Sequence, residues 1–298
     1  MGENRHLVVR AADAVHTVPT EFEGHNRGFT RWSAITGEGP SVHMGFGICH
    51  LDAGGRIDPH VHSFEESFYV LQGEVVCDTP EGAFRLQPGD YGYIPASMPH
   101  AWRNLSDAPA RWAEMTAPQP RLTDVDDTFF VDDLPADRAV TTIDARDPRT
   151  RSFGHIEPHN MDPAQQTQDK LAESASMRTA LLVYSGISVK MMVDSDLGAF
   201  LQTMFMVQYQ PGGFAGAHDH PFEEAYLILE GVTDATLDGV AYRLEPGDIA
   251  FSGVGSTHAF TCPEGQSVRW LETQAPQPPG RHAYRFGRDW TYLGDQLA

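Results

Sequence analysis

Apolar positions along the chain gather in short runs rich in Val, Ile, Tyr and Phe, punctuated by Gly, Pro and Asp. The breaks recur about every 8 to 12 residues, the rhythm of an all-β sandwich or barrel. Phe68-Tyr-Val-Leu71, Tyr91-Gly-Tyr-Ile94, Tyr226-Leu-Ile-Leu229 and Ile249-Ala-Phe251 are the clearest strands. Leu237-Asp-Gly-Val240 sets Asp-Gly between strand-like flanks, a hairpin-turn signal. From about Asp124 to Ser176 the pattern fades into an acidic, weakly periodic segment broken by Leu134-Pro135, Asp147-Pro148 and Asp162-Pro163. It reads as an irregular linker, with a short helix expected near Pro163 to Met177.

Sliding the chain against itself matches Gly54 to Pro120 onto Gly212 to Pro278 without an insertion, at an offset of 218 − 60 = 158. His60-Val-His62 falls on His218-Asp-His220, Phe64-Glu-Glu66 on Phe222-Glu-Glu224, Pro88-Gly-Asp90 on Pro246-Gly-Asp248, and His100 on His258. A two-copy repeat this long means two similar domains, because solenoid units recur every ~20 to 50 residues. The expected division is 1–123 for an N-terminal domain with a leading arm, 124–176 for the linker, and 177–298 for a C-terminal domain with its tail.

Charge narrows the function classes. The 298 residues carry 21 basic and 41 acidic side chains, a net charge of −20, with 14 histidines. Lys170 and Lys190 are the only lysines, and no basic block is dense enough to neutralise a run of phosphates, which argues against nucleic acid. Apolar runs such as Ala225 to Leu229 fall far short of the ~18 to 20 residues of a membrane span, and MGENRHLVVR has no long apolar signal core. The expectation is a soluble, unprocessed, cytoplasmic protein. Cys49, Cys77 and Cys262 lie far apart in strand-like segments and read as buried small hydrophobes in a reducing compartment.

Four ligand-type residues recur in each repeat: His60, His62, Glu66 and His100, then His218, His220, Glu224 and His258. A strand directs residues i and i+2 to one face, so each His-x-His pair aims two imidazoles the same way. A carboxylate and a third histidine from later strands would complete a site of three nitrogens and one oxygen. These residues resemble the cupin family. Its first motif runs Gly, five residues, His-x-His, three or four residues, Glu, six residues, Gly; Gly54 to Gly73 and Gly212 to Gly231 fit it. That spacing selects Glu66 and Glu224 over their neighbours Glu65 and Glu223. Its second motif is carried by Gly89, Pro95, His100 and Asn104, and by Gly247, Gly255 and His258. Ser97, Gly253 and Cys262 depart from it at turn and scaffold positions, not at ligands. The resemblance implies a bicupin: two tandem jelly-roll β-barrels, all-β, joined by an irregular linker.

Three imidazoles and a carboxylate suit Fe, Mn, Co, Ni or Zn as a divalent ion, one per domain, and disfavour an iron–sulfur cluster. Such an ion keeps open positions for a chelating small-molecule substrate, or for substrate and O2 together. Glu66 and Glu224 are ligands and also candidate bases. On the strand before each His-x-His pair, Gln202, Met204, Met206 and Gln208 correspond to Met44, Phe46, Ile48 and His50. Such a face either lines a binding cavity or is ordinary barrel packing. Trp102 and Phe260, two residues past the last histidine, either flank a planar substrate or are core aromatics.

No G-x-S-x-G elbow, P-loop or dinucleotide fingerprint occurs. The resemblance points first to a metal-dependent dioxygenase of the quercetinase type, acting on an enol, catechol-like or organic acid substrate. A non-oxidative bicupin enzyme is the alternative, whether decarboxylase, isomerase, lyase or ureidoglycine-aminohydrolase-like. A metal-stabilised binding module without turnover is the third reading. Oligomeric state is open, between a homo-oligomer and an internal pseudo-dimer of the two repeats.

Overall fold

Two long, bent strands carry the ligand pairs, and every other strand is arranged around them. The computed structural model describes residues 5–120, 127–132, 134–135, 138–163, 184–277 and 285–286. The first half runs β1 (His6–Val9), β2 (Asn26–Ile35), β3 (Gly45–His62), β4 (Glu65–Gln72), β5 (Val75–Thr79), β6 (Gly82–Leu86), β7 (Asp90–Ile94), β8 (His100–Arg103) and β9 (Ala110–Ala117). Three short strands follow, β10 (Thr128–Phe130), β11 (Val140–Thr142) and β12 (Phe153–His155). The second half runs β13 (Tyr184–Val193), β14 (Thr203–Asp219), β15 (Glu223–Glu230), β16 (Thr233–Leu237), β17 (Val240–Leu244), β18 (Ile249–Ser252), β19 (His258–Thr261), β20 (Val268–Ala275) and β21 (Arg285–Phe286). They form one 11-stranded and one 10-stranded sheet, each curled into a jelly-roll barrel. Among the described residues no helix is long and apolar enough to cross a membrane.

The repeat reaches further back in the structure than in the sequence. β2 pairs with β3 as β13 pairs with β14, and 184 − 26 again gives 158, although the two strands share little sequence. The segment expected to be an irregular linker also contributes structure. β10 adds to β3, β11 to β6 and β12 to β7, all in the N-terminal sheet. Three-residue strands are too short to leave a periodic signal. Beyond Pro163, the short helix expected up to Met177 lies outside the described residues, as do residues 124 and 176, where the domain boundaries were set.

The arms cross over. β1 precedes the N-terminal barrel but pairs with β18 of the C-terminal one, while β12 precedes the C-terminal barrel and pairs with β7 of the N-terminal one. The aspartate of each Pro-Gly-Asp repeat holds the arriving arm. Asp248 accepts from Arg10 Nη1 at 2.7 Å and Ala11 N at 3.0 Å, and Asp90 contacts His155 Nδ1 at 2.7 Å.

Between the barrels lies a shared apolar seam, with Trp32, Phe46, Ile48 and Met115 packed among Met204, Met206, Phe251 and Leu271. Each barrel also keeps its own interior cluster, around Trp102 and Trp112 in one and Phe260 and Trp270 in the other. Glu65 and Glu223, the glutamates that the motif passes over, clasp the seam reciprocally. Glu65 accepts from Phe200 N and Leu201 N at 3.0 Å each, and Glu223 from Val42 N at 2.8 Å and His43 N at 3.0 Å. The two pairs are again 158 apart. In each Glu-Glu doublet, strand alternation sends one carboxylate to the partner barrel and the next into its own barrel.

Candidate metal centres

The register of β3 against β8 shifts between Ile57 and His60, and that of β14 against β19 shifts between Ala215 and His218. Before each shift the odd-numbered side chains face the barrel interior, namely Cys49, Leu51 and Ile57 in one barrel and Phe205, Val207, Tyr209 and Ala215 in the other. After it the even-numbered histidines do. A bulge re-aims a strand in this way, and here it turns both His-x-His pairs inward.

His60, His62 and His100 then offer ligand nitrogens within 4.8 Å of one another, as do His218, His220 and His258. All six are buried. Glu66 Oε2 lies 3.4 Å from both His62 Nε2 and His100 Nε2. Glu224 Oε2 lies 2.8 Å from His220 Nε2 and 3.2 Å from His258 Nε2.

The second nitrogen of each ring decides what the first can do. Nδ1–H donates to Asp58 O from His60 (2.7 Å), to Met98 O from His100 (3.0 Å), to Gly216 O from His218 (2.7 Å), to Phe222 O from His220 (2.8 Å) and to Ser256 O from His258 (3.0 Å). His62 Nδ1 meets Thr128 Oγ1 at 2.9 Å, so β10 supplies a support that the repeat could not reveal. A carbonyl accepts only from a protonated nitrogen, which leaves Nε2 as a lone pair directed at the centre. His100 Nε2, His258 Nε2 and Glu66 Oε1 are buried without a hydrogen-bond partner. The donor set thus fits one divalent ion per barrel, of the borderline kind expected from its ligands.

Burial and the neighbouring imidazoles hold His60 well below its ordinary value; burial takes His62 down to about 4 and His218 to about 3. Neutral imidazole is the ligating form. His220 is raised, since the adjacent Glu224 outweighs its burial. Glu66 and Glu224 stay ionised because the histidines beside them outweigh desolvation. Phe64 stacks on His62 at 4.3 Å and Phe222 on His220 at 3.8 Å, fixing the ring planes.

Around this common plan the barrels diverge. In the C-terminal barrel Tyr226 donates its hydroxyl to Glu224 Oε2, and Gln274 Nε2 donates to Oε1 at 2.6 Å. Thr203 Oγ1 holds Gln274 in turn at 3.1 Å. The positions 158 earlier are Phe68, Thr116 and Gly45, which leave Glu66 without those partners. Motif matching passed over Tyr226 and Gln274, yet comparing the two repeats position by position would have flagged both. Phe22, from the leading arm, packs edge-on to His60 at 5.3 Å and Phe130 lies 5.8 Å from His60, so aromatic side chains screen the N-terminal triad.

The strand face proposed as a cavity lining lies elsewhere. Because of the register shift, Met204 and Met206 face the seam rather than the C-terminal interior. Gln202 is fully buried there, accepting from Ser67 Oγ at 2.7 Å, and Gln208 Nε2 reaches Met161 O at 3.5 Å. His50 pairs with Asp52 at 3.1 Å on partly exposed surface. Trp102 stacks on Trp112 at 5.0 Å, and Phe260 lies 4.7 Å from Tyr226 and 6.1 Å from His258. Both are interior aromatics of their barrels. The three cysteines are free and buried.

The cupin domain model matches residues 47–116 and 205–273, one stretch in each barrel and each containing all four candidate ligands of that barrel. A polyketide synthase CurC from Streptomyces cyaneus is 34% identical over 84 residues, which is 27% of this chain and 54% of that protein. Oxalate decarboxylase from Bacillus subtilis superposes with a TM-score of 0.61 at 15% identity, covering 100% of this chain and 83% of its own. Salicylate 1,2-dioxygenase from Pseudaminobacter salicylatoxidans gives 0.61 at 15% identity, covering 79% and 72%. Both of these neighbours are enzymes. With two matched domains, two inward-facing histidine triads and whole-chain superposition on a known two-barrel fold, the chain belongs to the cupin superfamily as a bicupin.

Proposed function

We propose that the protein is a metal-dependent oxidoreductase, a dioxygenase acting on a small chelating substrate such as an enol, a catechol-like compound or an organic acid. His60, His62, Glu66 and His100 would hold one divalent ion, and His218, His220, Glu224 and His258 a second. Such an ion supplies Lewis acidity and, with dioxygen as co-substrate, a route for electrons. The observation that carries the reading is the convergence of three buried imidazoles on a buried carboxylate inside each barrel. Glu66, with one oxygen free of protein partners, can accept a substrate proton. Phe22 and Phe130 keep bulk water from the N-terminal triad.

The test is metal analysis of the purified protein, followed by oxygen consumption against a panel of catechols, enols and hydroxy acids. Oxygen uptake dependent on Fe, Mn, Co or Ni supports the proposal; turnover unchanged under anaerobic conditions overturns it. That second result would favour a non-oxidative bicupin reaction, for which the Tyr226 hydroxyl on Glu224 is the supporting observation. A phenol and a carboxylate sharing a hydrogen bond can exchange a proton without an oxidant.

A further inference from the structure

The start of β14 belongs to the C-terminal barrel but is gripped by side chains of the N-terminal one. Glu65 accepts from Phe200 N and Leu201 N, and two residues further along β4 Ser67 donates to Gln202 Oε1 at 2.7 Å. Residues 65 and 67 share the strand face turned to the partner barrel, whereas Glu66 between them turns to its own histidines. Thr203 comes next and shares the parity of Phe205 and Val207, which face the C-terminal interior. It lies opposite Gln274 in the β14–β20 pairing and donates to Gln274 Oε1 at 3.1 Å. With its oxygen so engaged, the amide turns its NH2 end to Glu224, and Nε2 donates to Glu224 Oε1 at 2.6 Å. Polar contacts, joined through the backbone of residues 201–203, thus run from one barrel to the carboxylate of the other, and every side chain in the series is buried.

The mirror-image series begins in the same way and then stops. Glu223 accepts from Val42 N and His43 N, and from Ser41 Oγ at 2.8 Å. The counterparts of Ser67 and Gln202 are Ala225 and Met44, which cannot repeat the second grip. Those of Thr203 and Gln274 are Gly45 and Thr116, again opposite each other, in the β3–β9 pairing. Gly45 has no side chain to continue the series, and a Cβ there would lie 2.6 Å from Thr116 Oγ1, which leaves no room for one. Thr116 Oγ1 and Glu66 Oε1 are both buried without a partner. The clasp is therefore reciprocal in its backbone contacts, but only one of its halves continues to a candidate metal ligand.

Building on the metal-centre reading above, we propose that Glu65 and Ser67 of the N-terminal barrel are positioning residues for the C-terminal metal centre, acting through Thr203 and Gln274 on Glu224, with no such dependence in the other direction. Glu65 and Ser67 fix the start of β14, Thr203 fixes the amide of Gln274, and Gln274 holds the carboxylate plane that turns Glu224 Oε2 to His220 and His258. Groups that orient a ligating side chain typically change metal affinity by about ten- to a hundredfold when removed.

Co(II) serves as the probe in the full-length protein, because its visible absorption reports ligand geometry as well as binding. A His62→Ala background isolates the C-terminal centre, and a His220→Ala background the N-terminal one. In the first, Thr203→Val, which keeps shape and removes the hydroxyl, should weaken Co(II) about tenfold and shift its absorption. Glu65→Ala and Ser67→Ala should shift it the same way by less, and Glu65→Ala combined with Thr203→Val should go no further than Thr203→Val alone, since both act through one contact. Thr203→Ser and Glu65→Gln, which keep the hydroxyl and an accepting oxygen, should restore most of the affinity. In the second background, Glu223→Ala should leave the Co(II) affinity and spectrum unchanged, which separates positioning from a general loosening of the seam. Should Glu65→Ala fail to fold, Ser67→Ala and Thr203→Val, each the loss of one hydroxyl, carry the test. An unchanged C-terminal centre in Thr203→Val or in the β4 variants, or an N-terminal centre that responds to Glu223→Ala as strongly, would overturn the proposal. Absence of Co(II) from both backgrounds would overturn the metal-centre reading itself, and the proposal with it.

Discussion

The two barrels share a ligand plan to the residue and differ in what surrounds it. In the C-terminal barrel the carboxylate is tied down by Tyr226 and Gln274, and the interior polar groups largely pair with one another. In the N-terminal barrel Phe68 and Thr116 stand at the matching positions, and the carboxylate and three donors, Arg31 Nε, Trp112 Nε1 and Thr116 Oγ1, keep free capacity. The geometry of the candidate ligands is therefore set largely by backbone features that duplication copies, the inward-turning register shift and the carbonyls behind five of the six rings. Chemical individuality rests on a few side chains around the carboxylate, Tyr226 and Gln274 in one barrel against Phe68 and Thr116 in the other.

Removing a ligand from each barrel separately breaks the comparison most strongly. The protein is expected to hold up to two equivalents of divalent metal, and His62→Ala or His220→Ala should each lose one, read by elemental analysis of purified protein. A variant that keeps the full complement would falsify the ligand assignment in that barrel.

Acid should act next. In the metal-free protein His62 and His218 have native values of about 4 and 3, below the ordinary 6.5. Unfolded histidines bind more protons across that window, so stability falls as pH drops from about 6.5 toward 4 and is fully present above it. For His62 alone the loss is on the order of 3 kcal/mol. Glu66 and Glu224, also depressed, lose their contribution in the same direction; His220, raised, acts in the opposite sense. Urea unfolding at pH 7 and pH 4.5 measures the difference, and equal midpoints would contradict the burial argument.

The seam should respond more modestly. Glu65→Ala leaves two backbone N–H groups without their acceptor, at a cost of roughly 2–3 kcal/mol, and Glu223→Ala should match it because the contacts are reciprocal. Unequal denaturation midpoints would mean that the clasp is not symmetric in strength.

The smallest effect belongs to Tyr226→Phe, which installs the N-terminal barrel's residue type in the C-terminal site. Loss of that one hydrogen bond should lower stability by about 1 kcal/mol while metal content is retained. Metal loss in this variant would show that the hydroxyl orients Glu224 for binding.

Much of the site was legible because its signals are local. His-x-His needs only strand alternation, and the 158-residue offset doubled each signal. The same local logic misplaced Gln202, Met204, Met206 and Gln208, since parity counted along a strand does not survive a register shift between Ala215 and His218. Arg31 and Val189 drew no notice, because the strands that carry them have diverged beyond sequence matching although their pairing has not.

The sequence by itself determined the number of barrels and which eight side chains are brought together as candidate ligands, with Glu66 and Glu224 rather than their neighbours turned toward the histidines, all consequences of spacing along one chain. Only the tertiary structure decided which interior face each candidate ligand meets, which carbonyl or hydroxyl supports each imidazole, that the arms exchange barrels, and that Glu65 and Glu223 hold the seam. Those facts join residues distant in sequence through sheet register and barrel closure, and spacing along the chain carries no information about either.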